Sequence, residues 1–183
     1  VYTGDIHLPG MLVGRILRSP HPHAKILNID TSRAERLKGV KGVITARDTA
    51  GAKHGFVETP RYPPDQYPLA MDRVRFRGEE VAAVAAPDQY IAEEALGLIR
   101  VDYEPLPSVF DPEEAMQPGA PEIHPSHPKV KEPFINIAGK THSQWGDIET
   151  GFTRSDYVRE DRFESHLRTH GYLEPQIALA SFE

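Results

Sequence analysis

The 183-residue sequence contains no cysteine. Disulfides, cysteine nucleophiles, zinc knuckles and thiolate-held iron–sulfur clusters are therefore excluded within these residues, and the absence fits a reducing compartment. No apolar run approaches the roughly 20 residues of a membrane span, so no membrane association is expected. Positive charge is also scarce. There are 21 Lys and Arg against 27 Asp and Glu, a net charge of -6, and the cations are scattered along the chain. Nucleic acid is not an expected partner for such a surface. The chain lacks a glycine-rich phosphate loop and a Gly-x-Ser-x-Gly elbow, the signatures of nucleotide binding and of one hydrolase class. It also lacks an initiator Met and a signal-peptide pattern. It opens Val1-Tyr2-Thr3-Gly4-Asp5 and closes on Phe182-Glu183. Both ends read as cuts through a longer polypeptide.

What is present is ordinary for a globular chain: 39% hydrophobic residues. At this size about 70% of the unfolded surface can be buried, enough for a real core. Met11–Leu17 is a short apolar run expected to form a buried strand. Two prolines in Ser19-Pro20-His21-Pro22-His23 then fix φ and remove donors, which makes a turn or an edge crossing. Ala24–Ile29 predicts a second strand, with Ala24, Ile26 and Asn28 on one face. Thr31 or Ser32 can cap a short helix that Gly39 ends. Val40–Thr45 predicts a third strand.

Residues 51–68 carry four prolines and two tyrosines and read as a long exposed loop. Val74–Phe76 and Val81–Ala86 flank Arg77-Gly78-Glu79-Glu80, the pattern of a hairpin with Gly78 in its turn. Val81–Ala86 is apolar at every position, the composition of a strand buried on both faces. Asp88 opens the clearest helix: Ile91, Ala92, Ala95, Leu96 and Ile99 recur at helical spacing while Glu93 and Glu94 face out. Arg100–Tyr103 returns as a strand. Asp111-Pro112-Glu113-Glu114 is a helix start with an acidic cap and a proline in the first turn. Five prolines between Pro118 and Pro133 forbid a continuous helix or central strand, so 118–140 reads as an inter-domain linker. Beyond it, Ile148–Phe152 predicts a short helix, and Tyr157–Leu167 and Ile177–Phe182 predict strands. The whole is an α+β pattern.

Four groups of residues, in order, resemble one family. Tyr2–Ile6 with Pro9–Leu12 and Arg18–Ala24 is similar to the opening of an α/β hammerhead domain. Val74–Val84 is similar to its central hairpin. Ala92–Ala95 with Ile99–Pro107 is similar to its helix and return strand. Gly146–Phe152 and His170-Gly171-Tyr172-Leu173-Glu174-Pro175 resemble the first pieces of a molybdopterin-binding domain. The family is that of xanthine dehydrogenase and aldehyde oxidase, the molybdenum hydroxylases. The resemblance implies an α/β hammerhead domain over 1–117, the linker at 118–140, and an incomplete molybdopterin-binding segment over 141–183.

The resemblance further implies part of a large subunit that oxidises an aldehyde or an aromatic heterocycle with oxygen from water. A reductive variant, the 4-hydroxybenzoyl-CoA reductases, belongs to the same family. A molybdopterin-type molybdenum cofactor is implied in the full enzyme, with iron–sulfur clusters and FAD on other domains or subunits. The rest of the large subunit, those other subunits and a small-molecule substrate are the implied partners. The compartment implied is the cytoplasm. The family's catalytic glutamate matches no position in this chain, so no catalytic residue is assigned and the 183 residues alone are expected to bind no cofactor and to be inactive. One position carries over. Many members place a glutamine two residues before the histidine of the His-x-Tyr-Leu-Glu segment, close to the metal. Here that position is Arg168, a departure that suits a phosphate or carboxylate partner. A rival expectation is a non-catalytic assembly module that packs against a partner chain.

No metal site is assigned. His21 and His23 lie two apart, but the proline between them favours a structural turn. His124 and His127 fall in the linker and read as solvated. His166 and His170 are four apart but lack the glutamate of a helical zinc motif, and they read as packed. Glu79 and Glu80 read as a solvated turn, Glu174 as a hydrogen-bonded structural carboxylate, and Trp145 as a packing anchor.

Overall fold

The computed structural model describes residues 2–49, 51–55, 64, 66–124, 136–137, 142–166 and 168–181. The chain divides into two compact units, Pro9–Ala138, and Val1–Leu8 together with Gly139–Glu183. His127 and most of the proline-rich segment lie outside the described residues.

The larger unit holds two three-stranded antiparallel sheets. In the first, β1 (Val13–Arg18) and β3 (Gly42–Thr45) flank β5 (Glu80–Ala86). In the second, β4 (Arg73–Val74) and β6 (Arg100–Pro105) flank β2 (Ala24–Asp30). The apolar run of β5 takes the central place of its sheet. Ala82, Val84 and Ala86 turn to one face, where they pack with Ala92, Ala95 and Ile99. Ala92 and Ala95 belong to α2 (Gln89–Leu98). Small side chains on both partners let helix and sheet approach closely. Val81 points the other way into a second cluster with Ala24, Ala70 and Val74. Val81 and Val84 are 0% and 2% exposed, as their place in an unbroken apolar run requires.

The caps of α2 and α3 (Pro112–Ala115) form as their sequences predict. Asp88 accepts from the amides of Tyr90 and Ile91, at 2.9 and 3.0 Å. Asp111 accepts from Glu113 and Glu114, at 2.8 and 2.9 Å. These carboxylates satisfy donors that the first turn leaves without partners. At α1 (Ser32–Glu35) neither expected residue caps. Asp30 accepts from the Ser32 amide, while the Thr31 hydroxyl donates to Glu35. Gly39 does not end that helix, which stops at Glu35 with Arg36 at its C-cap. At φ 104° it stands in the turn that follows, where Val40 N donates to Leu37 O, and an added Cβ would meet Ile91 Cδ1 at 2.9 Å.

Further expectations for the larger unit fail. Residues 74–86 form no hairpin, because β4 pairs with β2 while β5 pairs with β1 and β3. The stretch between them carries the chain from one sheet to the other. The face of β2 changes at Leu27, where the register shifts between Ile26 and Asn28. Ile29, not Asn28, therefore joins Ala24 and Ile26 toward the core. Val81–Ala86 is also not sealed on both faces, since Ala83 and Ala85 are only half-buried.

In the smaller unit, α4 (Ile148–Arg154) forms behind an Asp147 cap. The expected strands do not. Among the described residues 157–166 and 177–181 no strand is present. Their alternation suits a sheet, but a strand exists only with a hydrogen-bonded neighbour. Trp145 is 84% exposed, so it anchors no packing here.

Candidate functional site

Two places gather the residues that the sequence singles out. The first is the Ser19–His23 corner between β1 and β2. The prolines deprive the turn of donors, so side chains supply the bonds. Ser19 Oγ accepts from the His21 amide at 3.0 Å. The Ser19 amide donates to Glu79 O, and Ser19 O accepts from the Gly78 amide, both at 2.9 Å. The corner is thereby laced to the crossing segment that precedes β5.

The two histidines diverge. His21 meets the Tyr103 ring edge-on, with centroids 4.9 Å apart. His23 is buried, and its Nδ1 lies 2.6 Å from Pro107 O. Pro107 follows β6, and Leu106 N donates to His23 O at 3.0 Å, so His23 fastens the start of β2 to the end of β6. Its Nε2 is buried with no partner. With Nδ1–H donating to the carbonyl, Nε2 is a bare acceptor, which costs less to leave unpaired than an N–H. Tyr103 is held above the ordinary phenol value by burial, offset by a bond with Ser19. The pair is structural, and among the described residues no group of three or more His, Asp or Glu could hold a metal ion.

Glu79 and Glu80 are not a solvated turn. Glu79 accepts from the Arg75 amide, and burial pushes its carboxyl up. Glu80 pairs with Arg18 at 2.5 Å. The two carboxylates serve different contacts, so they form no acid–base pair.

The second place is in the smaller unit. A single 3₁₀ turn, Thr3–Asp5, lies against residues 174–177. Thr3 N donates to Glu174 Oε1 at 2.7 Å, the structural bond expected of this carboxylate. Gly4 packs closely there: a Cβ would meet Ile177 Cδ1 at 2.8 Å, a contact that rotation of the isoleucine end can relieve. Thr3 and residues 172–177 line an open groove of about 400 Å³. His170 stacks on Tyr172, with centroids 5.7 Å apart, whereas His166 is exposed and unpacked. Arg168 is exposed, and the groove lining does not include it. One exposed guanidinium makes no cradle for a pterin or a metal, so the described residues do not fit a cofactor by themselves. No chemical step is derived through one.

Sequence reasoning missed Asn136. Its Oδ1 accepts from the amides of Ile123 and His124, and its Nδ2 donates to Ala115 O and Pro121 O. It stands at φ 61°, a conformation that asparagine tolerates better than most residues. An asparagine in a proline-rich stretch was the available signal.

Comparison with known proteins decides the family. Residues 1–107 match the family described as "Aldehyde oxidase and xanthine dehydrogenase, a/b hammerhead domain". The chain belongs to this family. It is 39% identical over 179 residues to a probable xanthine dehydrogenase subunit of Bacillus subtilis, covering 98% of this chain and 22% of that one. It is 40% identical over 193 residues to the carbon monoxide dehydrogenase large chain of Afipia carboxidovorans, covering all of this chain and 23% of the relative. A crystal structure of the Cu,Mo-CO dehydrogenase superposes with a TM-score of 0.67 at 36% identity, covering 86% of this chain and 20% of that one. The α+β hammerhead fold and the molybdenum hydroxylase family are thus established. The chain spans less than a quarter of the length of these three relatives. Among the described residues, no helix is long and apolar enough to cross a membrane.

Proposed function

We propose that this chain is part of the molybdenum-binding large subunit of a cytoplasmic hydroxylase or dehydrogenase. The full enzyme oxidises an aldehyde or an aromatic heterocycle with oxygen from water. The observation that carries the reading is a match running along almost the whole chain to molybdenum hydroxylase large subunits, at 39–40% identity for two of them. In this reading residues 1–117 are the hammerhead domain, 118–140 a linker and 141–183 the start of the molybdopterin-binding domain. The molybdenum cofactor, when bound to the full enzyme, supplies the two-electron redox chemistry. Iron–sulfur clusters and FAD sit on other domains or subunits. Arg168 approaches the cofactor or an anionic substrate and binds it through paired N–H donors.

Metal analysis and turnover with a panel of aldehydes and purines test the reading. The 183-residue chain is expected to hold no stoichiometric molybdenum and to turn nothing over. The assembled enzyme is expected to do both. One molybdenum per isolated chain overturns the division of labour. Arg168→Ala in the assembled enzyme is expected to lower kcat/KM or molybdenum content at least tenfold, with Arg168→Lys restoring only part. An unchanged Arg168→Ala enzyme removes the assignment.

A further inference from the structure

We infer that the outer face of the β1–β5–β3 sheet is the docking surface for an apolar helix from the remainder of the large subunit. The inference rests on the large-subunit reading above. The starting point is β5, whose residues 81–86 are all apolar. A central strand of that composition belongs between two covered faces. Here one face is covered by α1 and α2. On the other face only Val81 is sealed, by Ala70 and Val74. Farther along, Ala83 and Ala85 are only half-buried.

The registers show what lies beside them. Ala83 pairs with Ile16 on one side and Ile44 on the other. Paired residues in an antiparallel sheet point to the same face, so Ile16, Ala83 and Ile44 make one apolar row across all three strands. Ile16 is 44% and Ile44 46% exposed. Arg15 and Thr45 alternate to the other face, while Arg18 shares the exposed side of β1 with Ile16, one step beyond the row, where Glu80 neutralises it. No charge interrupts the row.

The occupant follows from shape and supply. Three strands span about 10 Å, close to the 10–12 Å diameter of a helix. The next row, Gly14, Ala85 and Gly42, carries nothing larger than a methyl group and leaves room for a cylinder beside the isoleucines. A helix on this face completes the two-sided cover that β5 requires. The supply is the rest of the large subunit, because the relatives carry most of their length outside the match, which covers 22% and 23% of them.

The cysteine-free sequence makes a direct test available. Ile44→Cys and Ile16→Cys are prepared singly in the 183-residue chain and in the full large subunit. Maleimide labelling of the peptide at each site is followed by mass spectrometry, with molybdenum content measured on the same samples. Val84→Cys, at a position 2% exposed, reports integrity of the fold. Both isoleucine positions are expected to label rapidly in the isolated chain and at least tenfold more slowly in the molybdenum-loaded subunit, with position 84 slow in both. Equal rates in a loaded subunit overturn the inference and leave the functional reading standing. A full subunit that takes up no molybdenum overturns that reading instead. Labelling in the isolated chain that slows as concentration rises, with dimers in sedimentation, makes a second copy the occupant and also overturns the inference.

Discussion

Side chains that answer backbone donors explain most of the local order. Asp147 is the clearest case. Bonds from the Thr150 side chain and amide hold its carboxyl below the usual range of 3.8. A depressed folded value means that the contribution is present above the unfolded value and is lost as pH falls through the folded one. The Thr150 amide shift is therefore expected to titrate with a midpoint below 3.8, and Asp147→Asn to abolish that titration. Glu79 has the opposite sign. Burial raises its carboxyl, so the fold favours the protonated form, and stability declines as pH rises from the unfolded to the folded value. Glu79→Gln keeps an acceptor for the Arg75 amide and is expected to flatten that decline in urea titrations run across the window. Glu79→Ala leaves the amide without its acceptor and is expected to cost about 1–3 kcal/mol. Asp88 and Asp111 were legible as helix starts from spacing alone, whereas the Asp147 cap emerges only in the structure. The Asn136 knot was not legible, because its four bonds join residues 12 to 21 positions apart.

Elements were legible where one segment's pattern decides its own structure. The α2 helix carries its cap, its apolar stripe and its polar face in a dozen consecutive residues. Asp88→Ala is expected to cost about 1 kcal/mol by denaturant unfolding. Gly39→Ala combines a φ of 104° with a 2.9 Å clash against Ile91 and is expected to cost more than about 1 kcal/mol in the same measurement. Where the partner decides, the sequence misleads. Val74 and Val81 look like two arms of one hairpin because Gly78 sits between them. Strand pairing then draws them into different sheets, and nothing local to residues 74–86 encodes β1, β2 or β3 as partners. The β2 irregularity at Leu27 is similar. A register shift moves every later side chain to the opposite face, and no residue type announces it. The candidate site was less legible still. Arg168 rests on a resemblance, and the contact between Thr3 and Glu174 joins residues 171 positions apart.

At the scale of the whole molecule, the two units are built from different amounts of cooperation. Pro9–Ala138 has two paired sheets, covering helices and buried clusters. In the smaller unit the described residues contain one α-helix, no strand and many open apolar side chains, with Phe163 91% and Leu173 94% exposed. Backbone groups without ladder partners bond to water, and such regions open at little free-energy cost. Amide exchange follows the cost of opening. Val84 and Val101 lie in paired strands of the larger unit, so their exchange requires breaking a sheet and exposing its core. Phe163 and Leu179 lie outside any strand and expose 91% and 42% of their surface. In a dilute sample of the 183-residue chain, the amides of Phe163 and Leu179 are expected to exchange at least a hundredfold faster than those of Val84 and Val101. Dilution matters, since unpaired strand-forming segments can be protected by another copy. If all four amides are equally protected in a monomer, residues 142–181 possess a core of their own, and they need no further chain to complete them.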